Sequence, residues 1–311
     1  MSYKEFQKDL FKQLQKVVPT EMKGNISLEQ VGQINDVETP NIKVALSDSE
    51  DVMYGLDAYY ELYCDGYNID NISHMIWEDV ESRKQTFQFP SADSFNNENI
   101  EFRIKTKKGN AKHLEKHIYT DMGNGLVATY CFAEIFGKNT AAPIGDKLFA
   151  TLGMTKEELH MLALDNTQRR NPETLEHIEN VLNNMISGSD KEATWNEDLK
   201  VDSGDMLILS NRQMSYGAAA LFYPEVMNKI GKVVGEDYYV LPSSIHEVLI
   251  VPVSVDIPAS ELRDMVRDIN ETQVQPKEQL SDEVYKYDYT HKKLELAVDK
   301  QMDRNIIPRK R

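Results

Sequence analysis

Two cysteines, Cys64 and Cys131, are the only thiols that 311 residues carry. With no C-x-x-C pair, neither a zinc ribbon nor a thioredoxin-type motif can be built. Both cysteines sit among apolar or aromatic neighbours, which suits free, buried thiols in a reducing compartment. Long apolar runs are missing as well. No stretch approaches the ~20 apolar residues that span a bilayer, and the opening Met1-Ser2-Tyr3-Lys4-Glu5-Phe6 is a charged helix start without an apolar signal core. The expectation is a cytoplasmic protein that does not enter a membrane. Glycine-rich phosphate loops are also absent, since neither G-x-G-x-x-G nor G-x-x-x-x-G-K-[ST] occurs, so the common nucleotide chemistries are disfavoured and no cofactor is implied.

Positive charge is scarce. Fifty-one acids stand against 35 bases, a formal charge of −16, and such a surface repels phosphate backbones. The local exception is Arg304 to Arg311, ending in Pro308-Arg309-Lys310-Arg311. A basic end of this kind is ordinarily solvated, with a weak electrostatic tether to nucleic acid or an acidic partner as the lesser reading. What the chain does have is apolar content of 41%. At this length a fold buries roughly 75% of its unfolded surface and needs no staples.

The most informative segment runs from Tyr238 to Val253. Two apolar, β-branched runs flank Ser243-Ser244-Ile245-His246-Glu247, so this polar pentad is expected to turn a corner between two buried strands. Three roles are open to it. Its polar groups can satisfy the backbone of a tight loop, line a binding groove, or carry catalysis with Ser243 or Ser244 as nucleophile and His246 as base. In an extended Ile245–Val248, Ser244 and His246 would share one face and Glu247 the other. No G-x-S-x-G elbow precedes the serines.

Other motifs are weaker. His113 and His117 fall four residues apart on one helical face, a spacing that suits a divalent metal, but no third ligand is identifiable and the bland reading is a solvated face. Asp165-Asn166-Thr167-Gln168-Arg169-Arg170-Asn171 reads as a helix stop and cap whose asparagine and arginines could instead face an anion or an acidic partner segment. The helix-spaced Tyr59, Tyr60 and Tyr63 read as core rather than as a stacking platform.

Along the chain, Ser2 and Glu5 form a capping box for a helix over 2–18 that Pro19 stops. Thr155 and Glu158 repeat the device for a helix ending at Asn166-Thr167, and Asn171-Pro172 is expected to start another. Met206–Leu209 reads as a strand with Ala218–Tyr223 as its hairpin partner. The pattern implies an α+β fold, antiparallel strand pairs with helices packed on one face. Its expected regions are 1–90, a unit at 100–188, a similar unit at 200–275, and a C-terminal helix and basic tail at 280–311, all of which can form one compact domain.

Several stretches resemble an uncharacterised family of gut-dwelling Gram-positive bacteria, defined only as a domain of unknown function. They are Tyr59-Tyr60-Glu61-Leu62-Tyr63 with Gly66, Thr155 to Thr167, Gly217-Ala218-Ala219-Ala220, Leu241 to Pro252, and Leu280 to Tyr287. The likeness reaches to about residue 290 and is most specific at Pro242–Glu247. A looser one, to a second uncharacterised family of bacilli, rests on Thr155–Leu159 to Asn166 and the strand leading into Pro242-Ser243. Neither supplies a reaction or a ligand. The residues themselves point to a protein- or peptide-binding module in which Ser243, Ser244, His246 and Glu247 line a groove with Asn166 and Arg169 near it. The alternative is a small-molecule hydrolase or transferase using His246 with Glu247 or Ser244.

Overall fold

The computed structural model describes residues 1–32, 38–46, 51–86, 95–135, 141–187, 194–195, 199–202 and 204–299. The basic tail from Arg304 to Arg311 lies outside them. The chain divides into two compact units, Met1–Ser91 and Ala92–Arg311.

In the first unit, α1 (Tyr3–Val17) starts at the expected capping box, in which Ser2 accepts from the Glu5 amide and Glu5 accepts from the Ser2 amide. Its i, i+4, i+8 stripe of Phe6, Leu10 and Leu14 is fully buried. An antiparallel sheet of β1 (Ile26–Gly32), β2 (Glu38–Ala45) and β3 (Asp51–Gly55) adds Ile42 and Val44 to the same core. Two helices complete it, α2 (Leu56–Cys64) and α3 (Ile69–Thr86), the latter contributing Ile72, Ile76 and Val80. The tyrosines at 59, 60 and 63 pack against this core.

The second unit holds two antiparallel sheets. One is built on β6 (Leu126–Ala133), which is buried along its whole length and pairs with β4 (Ile100–Thr106), β5 (Tyr119–Gly123) and β7 (Ala141–Pro143). The short helix α4 (Ala111–Leu114) joins β4 to β5, and Pro143 sits on the three-residue edge strand. After α5 (Asp146–Thr151) comes α6 (Lys156–Arg170), whose capping box of Thr155 and Glu158 forms as expected. The helix runs past Asn166-Thr167, because those two side chains continue the inward stripe of Leu159 and Ala163. They face the open edge of β4. Asn166 donates to the carbonyls of Asn97 and Ile100 at 2.8 and 3.0 Å, and Thr167 accepts the Phe102 amide at 3.0 Å. A strand edge that would otherwise present unpaired backbone groups is thus satisfied by helix side chains.

The other sheet has six strands in the order β13-β12-β10-β11-β9-β8. Its members are β8 (Glu173–His177), β9 (Leu207–Asn211), β10 (Tyr238–Leu241), β11 (Val248–Pro252), β12 (Tyr285–Asp288) and β13 (Lys293–Leu296). Helices α7 (Ile178–Ser187), α8 (Val226–Val234) and α9 (Ala259–Thr272) fall between them. The protein is an α+β protein.

Three local expectations are corrected. The helix expected after Asn171-Pro172 is preceded by strand β8, which pairs Leu175 with Leu209 and draws residues 173–177 into the sheet of the later strands. The hairpin partner expected at Ala218–Tyr223 is a 3-10 helix, Gly217–Phe222. The expected C-terminal helix over 280–311 is replaced, within its described part, by strands β12 and β13. Tyr285 and Tyr287 point inward at alternate positions opposite Val240 and Tyr238. The intervening Lys286 and Asp288 give the run a charged character that hides its period of two.

The Asn166 clamp makes a direct prediction. Asn166→Ala leaves the buried Ile100 carbonyl without its partner, and the part-buried Asn97 carbonyl as well, and is expected to cost about 2 kcal/mol, whereas the exposed Arg169→Ala stays within about 0.5 kcal/mol. Urea unfolding of the two variants checks this; equal losses would contradict the clamp.

Candidate functional site

Strands β10 and β11 pair in register, Leu241 opposite Leu249, so the segment 242–247 does turn a corner between two buried strands. The main chain of that corner is held on both sides. The Leu280 amide donates to the Ser243 carbonyl, the Ile245 amide to Glu278, and Ser281 to Pro242. From the other side, Ala218 donates to the Ile245 carbonyl, and Ser210 Oγ donates to the His246 carbonyl at 2.8 Å.

The serines lie inside. Ser243 is 8% exposed and Ser244 only 3%. Ser244 Oγ accepts the His246 amide at 2.9 Å, a local bond that bends the chain at Ile245–His246 instead of letting it extend. The expected alternation therefore fails. Glu247 comes close enough to Ser244 and His246 for both to act on its carboxyl group. Burial pushes the Glu247 carboxyl above the ordinary range, against the opposing effects of Ser244 and the nearby His246.

His246 is half-buried, and its ring does a specific job. The Tyr216 amide donates to His246 Nδ1 at 3.2 Å. Tyr216 sits at φ 52°, in the left-handed region that non-glycine residues avoid. Its ring lies 5.6 Å from the imidazole, and the Arg103 guanidinium lies over it with Cζ 3.6 Å from the ring centre. Gly217 follows, where no other residue fits: a Cβ there would come within 2.1 Å of Ser210 Oγ and 2.4 Å of the His246 carbonyl.

On the far side of Tyr216 from the corner opens a narrow polar cleft of about 70 Å³. Strand β4 supplies Glu101 and Arg103, the turn after β6 supplies Glu134, and α6 with its cap supplies Thr167, Arg170 and Asn171; Asn211 ends β9, and the loop after it supplies Gln213, Ser215 and Tyr216. Asn211 fixes that loop, because its side chain donates to the Ser215 carbonyl at 2.8 Å and accepts the Ser215 amide at 3.3 Å. Arg170 is fully engaged. Its Nε bonds Glu101 at 2.9 Å, one terminal nitrogen bonds Glu134 at 2.8 Å, and the other bonds Asn99 at 2.9 Å. Burial raises the Glu101 carboxyl, with Arg170 and Arg103 pulling the other way. Arg103 differs from Arg170: among the described residues no carboxylate lies within ion-pair distance of it. Cys131, opposite Glu101 on β6, is buried, and burial pushes its thiol up, away from reactivity.

None of the six residues singled out from sequence lines this cleft. Ser243, Ser244, His246 and Glu247 stand behind Tyr216. Asn166 is committed to β4, and Arg169 donates to the Asn166 side-chain oxygen at 3.0 Å; no hydrogen bond among the described residues links this pair to the corner. The segment 165–171 reaches the cleft through Thr167, Arg170 and Asn171. Arg103, Tyr216 and Glu101 went unnoticed. The signal was Glu101, Arg103 and Lys105 alternating within an apolar strand, charges on a face where a strand ordinarily buries hydrophobes. His113 and His117 stack at 4.1 Å, with His117 Nδ1 donating to the His113 carbonyl. No group of three or more metal-ligating side chains occurs among the described residues, and no described helix is long and apolar enough to cross a membrane.

The architecture defines a class: an α+β protein whose second unit frames a small polar cleft between two antiparallel sheets, lined by two arginines and two glutamates. The chain belongs to the DUF5688 family, a family of unknown function, whose sequence model covers residues 3–289. No curated protein and no solved structure matches it.

The raised Glu247 carboxyl sets a pH dependence. A group protonated more readily in the folded state contributes stability that is complete below its ordinary value of 4.5 and is lost as pH rises through the raised value. Wild-type protein is therefore expected to lose stability relative to Glu247→Gln as pH climbs from 4.5. Urea midpoints of both proteins across that range test it; a gap that stays constant with pH would contradict the burial of this carboxyl.

Proposed function

We propose that this protein is a protein- or peptide-binding module, and that it takes a single carboxylate of its partner on Arg103. The observation that carries this reading is the Arg103 guanidinium, held over the Tyr216 ring at the wall of a polar cleft and paired with no carboxylate among the described residues. A planar guanidinium held by stacking keeps its edge free for bidentate bonding to a carboxylate. Size supports the same conclusion. Pockets that engulf small organic ligands run to about 300–1,000 Å³, whereas this cleft of about 70 Å³ admits one functional group. The remainder of the ligand stays outside, as a peptide side chain or chain end would. The net charge of −16 favours a partner whose carboxylate stands on a neutral or basic segment, since a run of acids would be repelled at a distance.

The rival reading, a hydrolase or transferase with His246 as base, has less support. A neutral imidazole has one lone pair, and the Tyr216 amide occupies the one on Nδ1, which leaves Nε2 carrying the proton. Ser244 accepts the His246 amide, and among the described residues no hydrogen bond joins its hydroxyl to the ring.

Arrayed peptides that differ only in one carboxylate, free or amidated, provide the test. Binding is expected to require the free acid and to fall at least tenfold in Arg103→Gln, with Arg103→Lys failing to restore it. Capture that ignores both the carboxylate and the Arg103 substitution would overturn the reading.

A further inference from the structure

A second concavity, unrelated to the cleft above, lies where the start of α9 faces the outer strands β12 and β13. It encloses about 740 Å³. Ile257, Pro258, Leu296 and Val298 give it an apolar floor, and Asp256, Asp288, Glu295 and Asp299 ring it with acids. The floor is open: Leu296 is 45% exposed and Val298 81%. The one base on its wall, Lys286, is turned aside to Asp237 at 2.7 Å. The acids have engagements of their own. Asp299 accepts the Ser260 amide, Asp288 holds His291, and Glu295 meets Lys293.

We propose that this groove seats the chain's own basic segment, residues 300–311. The segment begins directly after Asp299, which is itself part of the groove wall. Its twelve residues can extend about 40 Å, more than the groove requires. Its chemistry is the complement of the site. Lys300, Arg304, Arg309, Lys310 and Arg311 stand against one acid, Asp303, and Met302, Ile306, Ile307 and Pro308 supply apolar matter for the floor. A short covalent tether gives the segment an effective concentration in the millimolar range, so modest contacts suffice to fill the groove ahead of an outside ligand. Seating it covers Leu296 and Val298, the most exposed apolar side chains of the sheet's open edge, and shields the unpaired side of β13 from edge-to-edge association.

The experiment uses the full chain. Light and ¹⁵N-labelled protein are mixed in equal amounts at low concentration, treated with a zero-length carbodiimide, and the partners of Lys310 are read by mass spectrometry. The expected links join Lys310 to Asp256 or Glu295 within one chain, and their yield falls at least tenfold in Leu296→Arg/Val298→Arg, with the melting temperature unchanged because both side chains are exposed. Links scattered over the acidic surface and indifferent to that double variant would overturn the proposal. So would links that pair light with heavy chains, which assign the groove to a second copy.

Discussion

The hydrogen bond from the Tyr216 amide to His246 Nδ1 is the constraint on which the candidate site rests. It joins the corner after β10 to the loop after β9 at a residue whose left-handed backbone costs about 1–2 kcal/mol. That cost is offset locally. The amide gains a ring nitrogen, the phenol ring gains a guanidinium, and the absent side chain of Gly217 lets the loop press against Ser210 and the His246 carbonyl. Remove any one of these and the ring under Arg103 loses its fixed orientation. The conspicuous histidine of the corner thus acts at one remove, as a strut for an aromatic platform.

Charge is distributed in the same economical way. An acidic chain has placed two arginines beside a buried glutamate, and the two have different fates. Arg170 ties β4, the turn after β6 and the end of α6 together through Glu101, Glu134 and Asn99. Such a partly buried network is worth more as a geometric fixture than as net stability, because desolvation cancels much of the attraction. Arg103 is left with a ring instead of a carboxylate, so the rigid network holds still an arginine with capacity to spare.

Sequence reasoning found what short-range physics writes into neighbouring residues. The two capping boxes, the stripe of Phe6, Leu10 and Leu14, and the β-branched runs around Pro242–Glu247 are local signals, and each has its structural counterpart. It missed what depends on distant partners. Tyr285 and Tyr287 become strand residues because Val240 and Tyr238 stand opposite them, and the charges between masked the alternation. Ala218–Tyr223 read as a strand because it is small and apolar, but the tight approach at Gly217 accompanies a 3-10 turn over Gly217–Phe222. The cleft was the least legible of all: Arg103 and Tyr216 are more than a hundred positions apart, and nothing local says that a guanidinium will meet that ring. The polar corner drew attention for a sound reason, yet its groups are largely spent on holding neighbouring backbone.

The most direct test of this account is the tautomer of His246, read from ¹⁵N resonances of the imidazole ring in the intact protein. The account predicts a neutral ring with an unprotonated, pyridine-like Nδ1 that correlates with the Tyr216 amide, and with the proton on Nε2. A protonated Nδ1, or rapid exchange between the two tautomers, would mean that the ring is free to act as a base and that the platform under Arg103 is not held as described.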